Sequence, residues 1–222
     1  MVCIGYAGIE AFDIILYIGK TLAKLHLPVL IIDLSDSGAL TKVIYHGMDI
    51  DSSDTIVNYS SLNYVRTIPH EKELDEFNNG VVFLNFGLNY VDSIPFNIDT
   101  MNIVVNPLPS MIDRVKVFLD RMEYDNSRVR LLIRDLISID DIDRVKRSIS
   151  DADTWISCAY LYLELIDYEN SISCQVKQVI KFKKISKRMK KFIISEVGNI
   201  LPNIKPFRIR KAFFLARKKG GR

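Results

Sequence analysis

The residues of this chain best placed to do chemistry follow its first apolar run, in the stretch Gly5-Tyr6-Ala7-Gly8-Ile9-Glu10-Ala11-Phe12-Asp13. A short apolar segment, a glycine-bearing turn and a helical pattern in that order make the usual place for an anion, because backbone N–H groups at a helix N-terminus point at it. A working phosphate loop needs three things: glycines that let the backbone curl round the phosphates, a lysine for the outer oxygens, and a Ser or Thr hydroxyl for magnesium. Here the glycines are only partly in place, and the lysine and hydroxyl are missing. Glu10 and Asp13 bring carboxylates instead, and like charges a few ångströms apart repel by about 1 to 4 kcal/mol. The triplet Gly19-Lys20-Thr21 spells the end of the motif. It lies inside the first helical pattern, however, about two turns from the loop, and reads as a chance match.

Other groups are weaker candidates. Asp33 closes a second apolar run and is either a catalytic acid or a carboxylate that bonds its own loop. His26, His46 and His70 fall in expected turns without paired spacing, and Asp140, Asp141 and Asp143 sit where acids favour a helix dipole. Cys3, Cys158 and Cys174 have no CxxC spacing, which fits reduced, buried thiols and neither a disulfide frame nor a zinc site.

The elements that must position the loop are legible from periodicity. Residues 1–4, 29–34, 56–59, 65–68, 81–86, 102–105, 129–133 and 154–159 are apolar runs of strand length. Helical spacing appears over 12–25, 111–122, 139–149 and 186–200. Val-, Ile- and Leu-rich strands alternating with amphipathic helices predict an α/β fold with a doubly wound, mostly parallel sheet flanked by helices. Residues 97–100, 123–127 and 150–153 read as loops, and none is long or biased enough to be an interdomain linker. With 222 residues, 48% hydrophobic and 26% charged, the chain suits one well-packed α/β unit.

Taken together, residues 1–41 resemble the start of a ParA/MinD protein, the deviant Walker A branch of the P-loop NTPases. Members of that family open with Gly-Lys-Gly-Gly-Val-Gly-Lys-Thr-Thr, which Gly5, Gly8 and Ile9 match. Leu30-Ile31-Ile32-Asp33-Leu34-Ser35-Asp36-Ser37-Gly38-Ala39-Leu40-Thr41 is similar to the family's second strand and the polar run after it. Tyr6 stands at the signature lysine, Glu10 at the last glycine, Ala11 at the P-loop lysine, and Phe12 and Asp13 at the paired threonines. Asn85, in 80–87, stands where the Walker B strand ends in aspartate, so a support for magnesium is gone as well. Asn102 to Pro107 and residues 186–200 extend the resemblance, with less specificity, to roughly residue 200. The resemblance implies a P-loop NTPase fold and a homodimer. The departures imply a pseudo-ATPase without a cofactor, similar to TadZ-type members that act as scaffolds in pilus or secretion assembly. The alternative is an active ATPase in DNA partition or cell-pole positioning that uses ATP and Mg through an unconventional loop, with Lys20 or a partner's lysine supplying the charge.

The net charge of +3 conceals a strong asymmetry. Residues 177–222 hold sixteen Lys and Arg against one acid, Glu196, a net +15, while the other 176 residues hold fourteen cations against 26 acids, a net −12. Such an end suits an anionic membrane or an acidic protein partner, with nucleic acid the weaker choice. The expected division is an α/β domain over 1–203 and a basic amphipathic tail over 204–222. Its contact residues are Phe207, Arg208, Arg210, Lys211, Phe213, Phe214, Arg217, Lys218 and Lys219. The apolar runs fall far short of the roughly 20 residues a spanning helix needs, and the N-terminus lacks a signal-peptide pattern. A cytoplasmic protein, peripheral at the inner face of the cell membrane, is expected.

Overall fold

The structure, a computed structural model, describes residues 1–44, 55–89, 91, 94, 97–121, 128–149, 157–180 and 182–218. Its first half comprises β1 (Val2–Gly8), α1 (Phe12–Ala23), β2 (Val29–Asp33), α2 (Ala39–Ile44), β3 (Val57–Tyr59), β4 (Leu62–Val65), α3 (Glu71–Leu74) and β5 (Val81–Gly87). The second half comprises β6 (Thr100–Val105), α4 (Pro109–Leu119), β7 (Val129–Leu136), α5 (Asp140–Ile149), β8 (Ser157–Tyr162), α6 (Leu165–Lys177), α7 (Lys187–Ile200) and α8 (Pro206–Lys218). The eight strands form one sheet in the order β3-β4-β2-β5-β1-β6-β7-β8, parallel except for the β3–β4 hairpin. The winding reverses beside β1, which lies between β5 and β6, so the C-terminal ends of these strands form the crevice where such folds bind ligands.

The central strands are apolar on both faces because helices cover both. One layer packs α1, α2 and α6–α8 over Ile4, Tyr6, Ile31 and Phe83. The other packs α3, α4 and α5 over Leu30, Ile32, Leu84 and Ile103. The α/β, doubly wound expectation is met, with shifts at element ends. The strand expected at 65–68 is misplaced: β4 occupies Leu62–Val65 instead, residues 66–68 are not strand, and β4 belongs to a hairpin whose Ser60-Ser61 turn has both φ values positive, at 56° and 67°. α2, α3 and α6 are additions that the sequence periodicity did not announce. The expected loops 123–127 and 150–153, part of the strand 154–159, and His46 lie outside the described residues. Asp140, Asp141 and Asp143 do occupy the first turn of α5. Cys3 and Cys174 are buried, and burial, with help from Asp99, pushes the Cys3 thiol up to about 12.

Two expectations need correction. The first strand does not end at a glycine turn near residue 5. It runs to Gly8, with Ala7 opposite Gly87 of β5 after a register shift that follows Tyr6, and Gly8 opposite Val104 of β6. The second concerns the tail. Residues 206–218 are helix α8, which packs against α1 and α7 and buries Ile209, Ala212, Phe213 and Ala216 in the common core. Phe213 meets the edge of Phe182 at 5.2 Å, and Phe182 in turn stacks on Tyr17 at 4.5 Å. Aromatic burial of this kind outweighs the helix's positive charge, because its cations occupy the opposite side.

Gly8 is where the strand's extension is most constrained. Its φ of +111° suits only glycine, and a Cβ there would overlap the Val104 carbonyl oxygen. Gly8→Ala should therefore cost about 2 kcal/mol or more, read as a lower urea midpoint with an unchanged m-value.

Candidate functional site

With β1 extended to Gly8, only Ile9, Glu10 and Ala11 are left to join strand and helix. The Ile9 N–H donates to the Val104 carbonyl at 2.9 Å, so a backbone donor of the kind that curls round phosphate in a working loop is spent inside the sheet. Tyr6 is buried in β1 with its ring against Phe83 at 6.3 Å, and so belongs to the core below the crevice and not to the cradle. Phe12, at the helix start, is buried too.

The crevice is crossed by a charge that the sequence did not announce. Arg134, near the C-terminal end of β7, donates from Nη1 to Asp13 Oδ1 at 3.0 Å and from Nη2 to Asp13 Oδ2 at 3.2 Å. It also donates to the Glu10 carbonyl at 2.7 Å and lies 3.3 Å from Asp135. The Asp13 side chain is only 2% exposed and that of Arg134 14%. Burial works against the guanidinium's charge, but Asp13 and Asp135 more than offset it and leave the pKa above its ordinary value. The β7–β8 register slips between Ile133 and Leu136, and Asp135 has a φ of +61°. That irregularity re-aims the strand at the position where Arg134 turns towards α1. Asp13 is therefore one half of a buried, two-pronged ion pair and not an anion left facing an incoming phosphate.

Glu10 and Asp33 are likewise engaged. Glu10 Oε1 accepts from the Ser37 hydroxyl, while its other oxygen is buried without a partner among the described residues. Burial raises the Glu10 pKa, opposed by the Ser37 hydrogen bond and by Arg134 and reinforced by the nearby Asp33 and Asp36. Asp33 receives four donors: Ser35 N at 3.2 Å, Ser35 Oγ at 2.6 Å, Asn85 Nδ2 at 2.9 Å and Thr41 Oγ1 at 3.4 Å. Arg66 ties this group down from β4's end by bonding Thr41 Oγ1 and the Ser35 carbonyl. An amide at position 85 is chemically apt, because Asn can donate to Asp33 where a second carboxylate would repel it. The loop-bonding reading of Asp33 describes this arrangement.

Lys20 lies eight residues past Phe12, about 12 Å along α1, and donates to Ser60 Oγ at 2.8 Å. Burial, with Lys24 adding to it, lowers its pKa to about 8. It serves the hairpin turn and not the crevice.

At the other end of the chain, the outer face of α8 exposes Phe207, Arg208, Arg210, Lys211, Phe214 and Lys218. Two expected contact residues leave that set. Phe213 is core, and Arg217 turns back to donate to the carbonyls of Phe182 and Lys183, with its guanidinium over the Phe213 ring at 5.6 Å. Lys219 lies outside the described residues. Lys190 of α7 sits over the Phe214 ring at 4.5 Å, so the basic surface is continuous across both helices.

Sequence reading missed Arg130 and Arg134. A usable signal was present, namely two arginines four apart on one face of an otherwise apolar strand, each requiring a buried acid. Arg130 finds Glu196 of α7 at 2.8 and 2.9 Å and Ser157 at 3.0 Å.

The architecture is that of a P-loop NTPase-type α/β protein. More narrowly, it is the ParA/MinD fold, as similarity to solved structures shows. MinD cell division protein from Aquifex aeolicus superposes with a TM-score of 0.60 at 16% identity, over 93% of this chain and 99% of that one. A putative plasmid partition protein from Borrelia burgdorferi B31, bound to AMPPNP, gives 0.56 at 13% identity over 96% and 98%. A ParA family ATPase from Chlorobium tepidum TLS gives 0.53 at 14% over 97% of each chain. No protein-family model and no curated protein sequence matches the chain.

Removing one partner of the buried pair leaves the other charge stranded. Arg134→Met and Asp13→Leu should each cost about 3 kcal/mol in urea unfolding, and the double variant should recover much of that loss. Simple addition of the two single effects would show that the pair is not coupled.

Proposed function

We propose that this chain is a catalytically inactive ParA/MinD-like protein that works as a localisation or assembly scaffold for a membrane-associated machine of the pilus or secretion type. The observation that carries the reading is the Asp13–Arg134 pair, which already supplies both charges at the crevice. A triphosphate with its metal would have to compete with a guanidinium for Asp13 and meet the Glu10 carboxylate, while finding neither a lysine at Ala11 nor a hydroxyl at Phe12 or Asp13. The four donors around Asp33, with an amide at Asn85, further favour a site that holds itself together over one that holds magnesium.

In this reading the fold supplies surfaces instead of turnover. The outer face of α8, with Phe207 and Phe214 among Arg208, Arg210, Lys211 and Lys218, suits an anionic lipid surface, with rings at the acyl boundary and cations on headgroups. Among the described residues no helix is long and apolar enough to cross a membrane, so attachment by this route is peripheral. Protein partners then meet the body, and a homodimer gives the scaffold two of each surface.

Two measurements test this. Thermal melting with millimolar Mg-ATP should leave Tm unmoved. A ligand at 100 times its Kd would add about 2.7 kcal/mol, so a clear upward shift would establish the active-ATPase alternative instead. In co-sedimentation with vesicles containing anionic phospholipid, a Phe207→Ser, Arg210→Glu, Phe214→Ser variant should lose most pelleting. All three positions are exposed, so the variant should keep the parent's far-UV CD. Pelleting equal to the parent's would remove the membrane claim.

A further inference from the structure

The sheet has two outer edges, and the sequence treats them differently. At one, β3 is only three residues long and belongs to a hairpin. At the other, β8 runs for six residues, Ser-Cys-Ala-Tyr-Leu-Tyr, without a charge, a proline or a glycine. Proteins that must keep a strand edge unpaired shorten it or place Lys or Pro on it, since free N–H and C=O groups template another strand. On its inner side β8 pairs with β7, from Arg130 opposite Ser157 to Leu136 opposite Tyr162, and among the described residues no strand pairs with its outer side. Beside that edge lies a groove of about 470 Å³. Each residue from Cys158 to Tyr162 lines it, and because successive side chains point to opposite faces, the groove follows the strand's edge and not one of its faces. The opposite wall is α7, through Arg188, Lys191, Phe192 and Ser195. Arg188 lies over the Tyr162 ring at 4.1 Å while Glu196 holds Arg130, itself bonded to Ser157, so α7 runs antiparallel to β8 along the groove.

We propose that this groove takes an extended, acidic segment of a partner protein, which adds to β8 as a further strand. The proposal deepens the scaffold reading by naming the chemistry of one protein partner, and it rests on that reading for its purpose but not on the lipid-facing side of α8. Charge selects the occupant. The lining carries Arg130, Arg188 and Lys191 against a single acid, Glu196, which Arg130 already holds through two hydrogen bonds. Arg188 meets Glu164 at 3.3 Å in a pair open to solvent, which a carboxylate in the groove can displace. Lys191 is exposed and makes no ion pair among the described residues. The exposed Lys187, one turn earlier, and the positive end of the α7 dipole extend the same sign. Carboxylates of the added strand therefore belong at the Tyr162 end, whereas towards Ser157 the wall turns neutral through Ser195 and Asn199. Tyr160, 49% exposed, stands edge-on to Tyr162 and offers rings to apolar side chains of the incoming strand. A second copy of β8 would bring no acid and would set two cationic walls face to face, so the partner is a different chain. An anionic lipid would answer the charge but leave the row of backbone groups unpaired.

The test is fluorescence polarisation with the full chain and a fluorescein-labelled peptide of about eight residues in which Glu alternates with Val. Binding should saturate with a Kd of about 1 to 100 μM. Lys191→Glu should weaken it at least about five-fold, an effect that shrinks in high salt, and Ser195→Trp, which fills the groove, at least about ten-fold. Both positions are exposed on α7, so CD melts should match the parent's. The same peptide N-methylated throughout cannot donate to the strand and should not bind, and a peptide with Lys in place of Glu should not bind either. Absence of binding by the Glu-Val peptide up to about 1 mM would overturn the proposal. So would equal binding of the methylated or the Lys peptide, or binding that Ser195→Trp leaves unchanged. Displacement of the labelled peptide by oligothymidylate or anionic vesicles, but not by the unlabelled peptide, would overturn it in favour of those anions. No ATP is present and lipid enters only in that last arm, so failure here is separate from failure of the Mg-ATP and co-sedimentation measurements.

Discussion

The organisation of the crevice depends on a guanidinium held against a carboxylate out of water. A buried Asp13 or a buried Arg134 alone would be prohibitively placed, and together they satisfy each other through two parallel hydrogen bonds. Because Asp13 lies in the first turn of α1 and Arg134 on β7, the pair ties the helix that opens the fold to a strand two places across the sheet from β1. Arg130 and Glu196 repeat the device from the same strand face to α7. The helical layer is thus fastened to β7 at two points, in addition to its apolar packing.

The fold was legible because its signals are local and repeated. Apolar strands of five or six residues alternate with helical spacing, and chirality then restricts the topology. The crevice residues were legible by position but not by partnership. Glu10 and Asp13 follow β1 and Asp33 ends β2, yet sequence order cannot show that Asp13 meets a residue 121 positions away or that Asn85 meets Asp33. Reading Asp13 as a bare charge therefore overstates repulsion and misses its neutralisation by Arg134. Tyr6 was misplaced for a related reason. Glycine at 5 suggested a turn, whereas β-sheet pairing on both sides carried the strand through to Gly8. In α8, the amphipathic, cationic, aromatic sequence suggested a segment turned to a membrane or a partner, because sequence alone does not reveal that the chain's own α1 and α7 receive its apolar side.

The charge asymmetry takes a spatial form. Cations on α7 and α8 share one side of the molecule, with Lys190 over Phe214 and Arg188 over Tyr162 at 4.1 Å, so rings screen part of that charge from self-repulsion. Arg217 is spent internally on two carbonyls. The remaining cations on the outer face of α8 stay directed at solvent, which makes this side suited to anions while the body repels them.

The guanidinium in the crevice also bears on how such a chain could change over generations. Placing lysine at position 11 alone would set an ammonium near Arg134, and removing Arg134 alone would strand Asp13. Either change by itself loses stability, so positions 11, 13 and 134 are coupled and tolerate alteration only together.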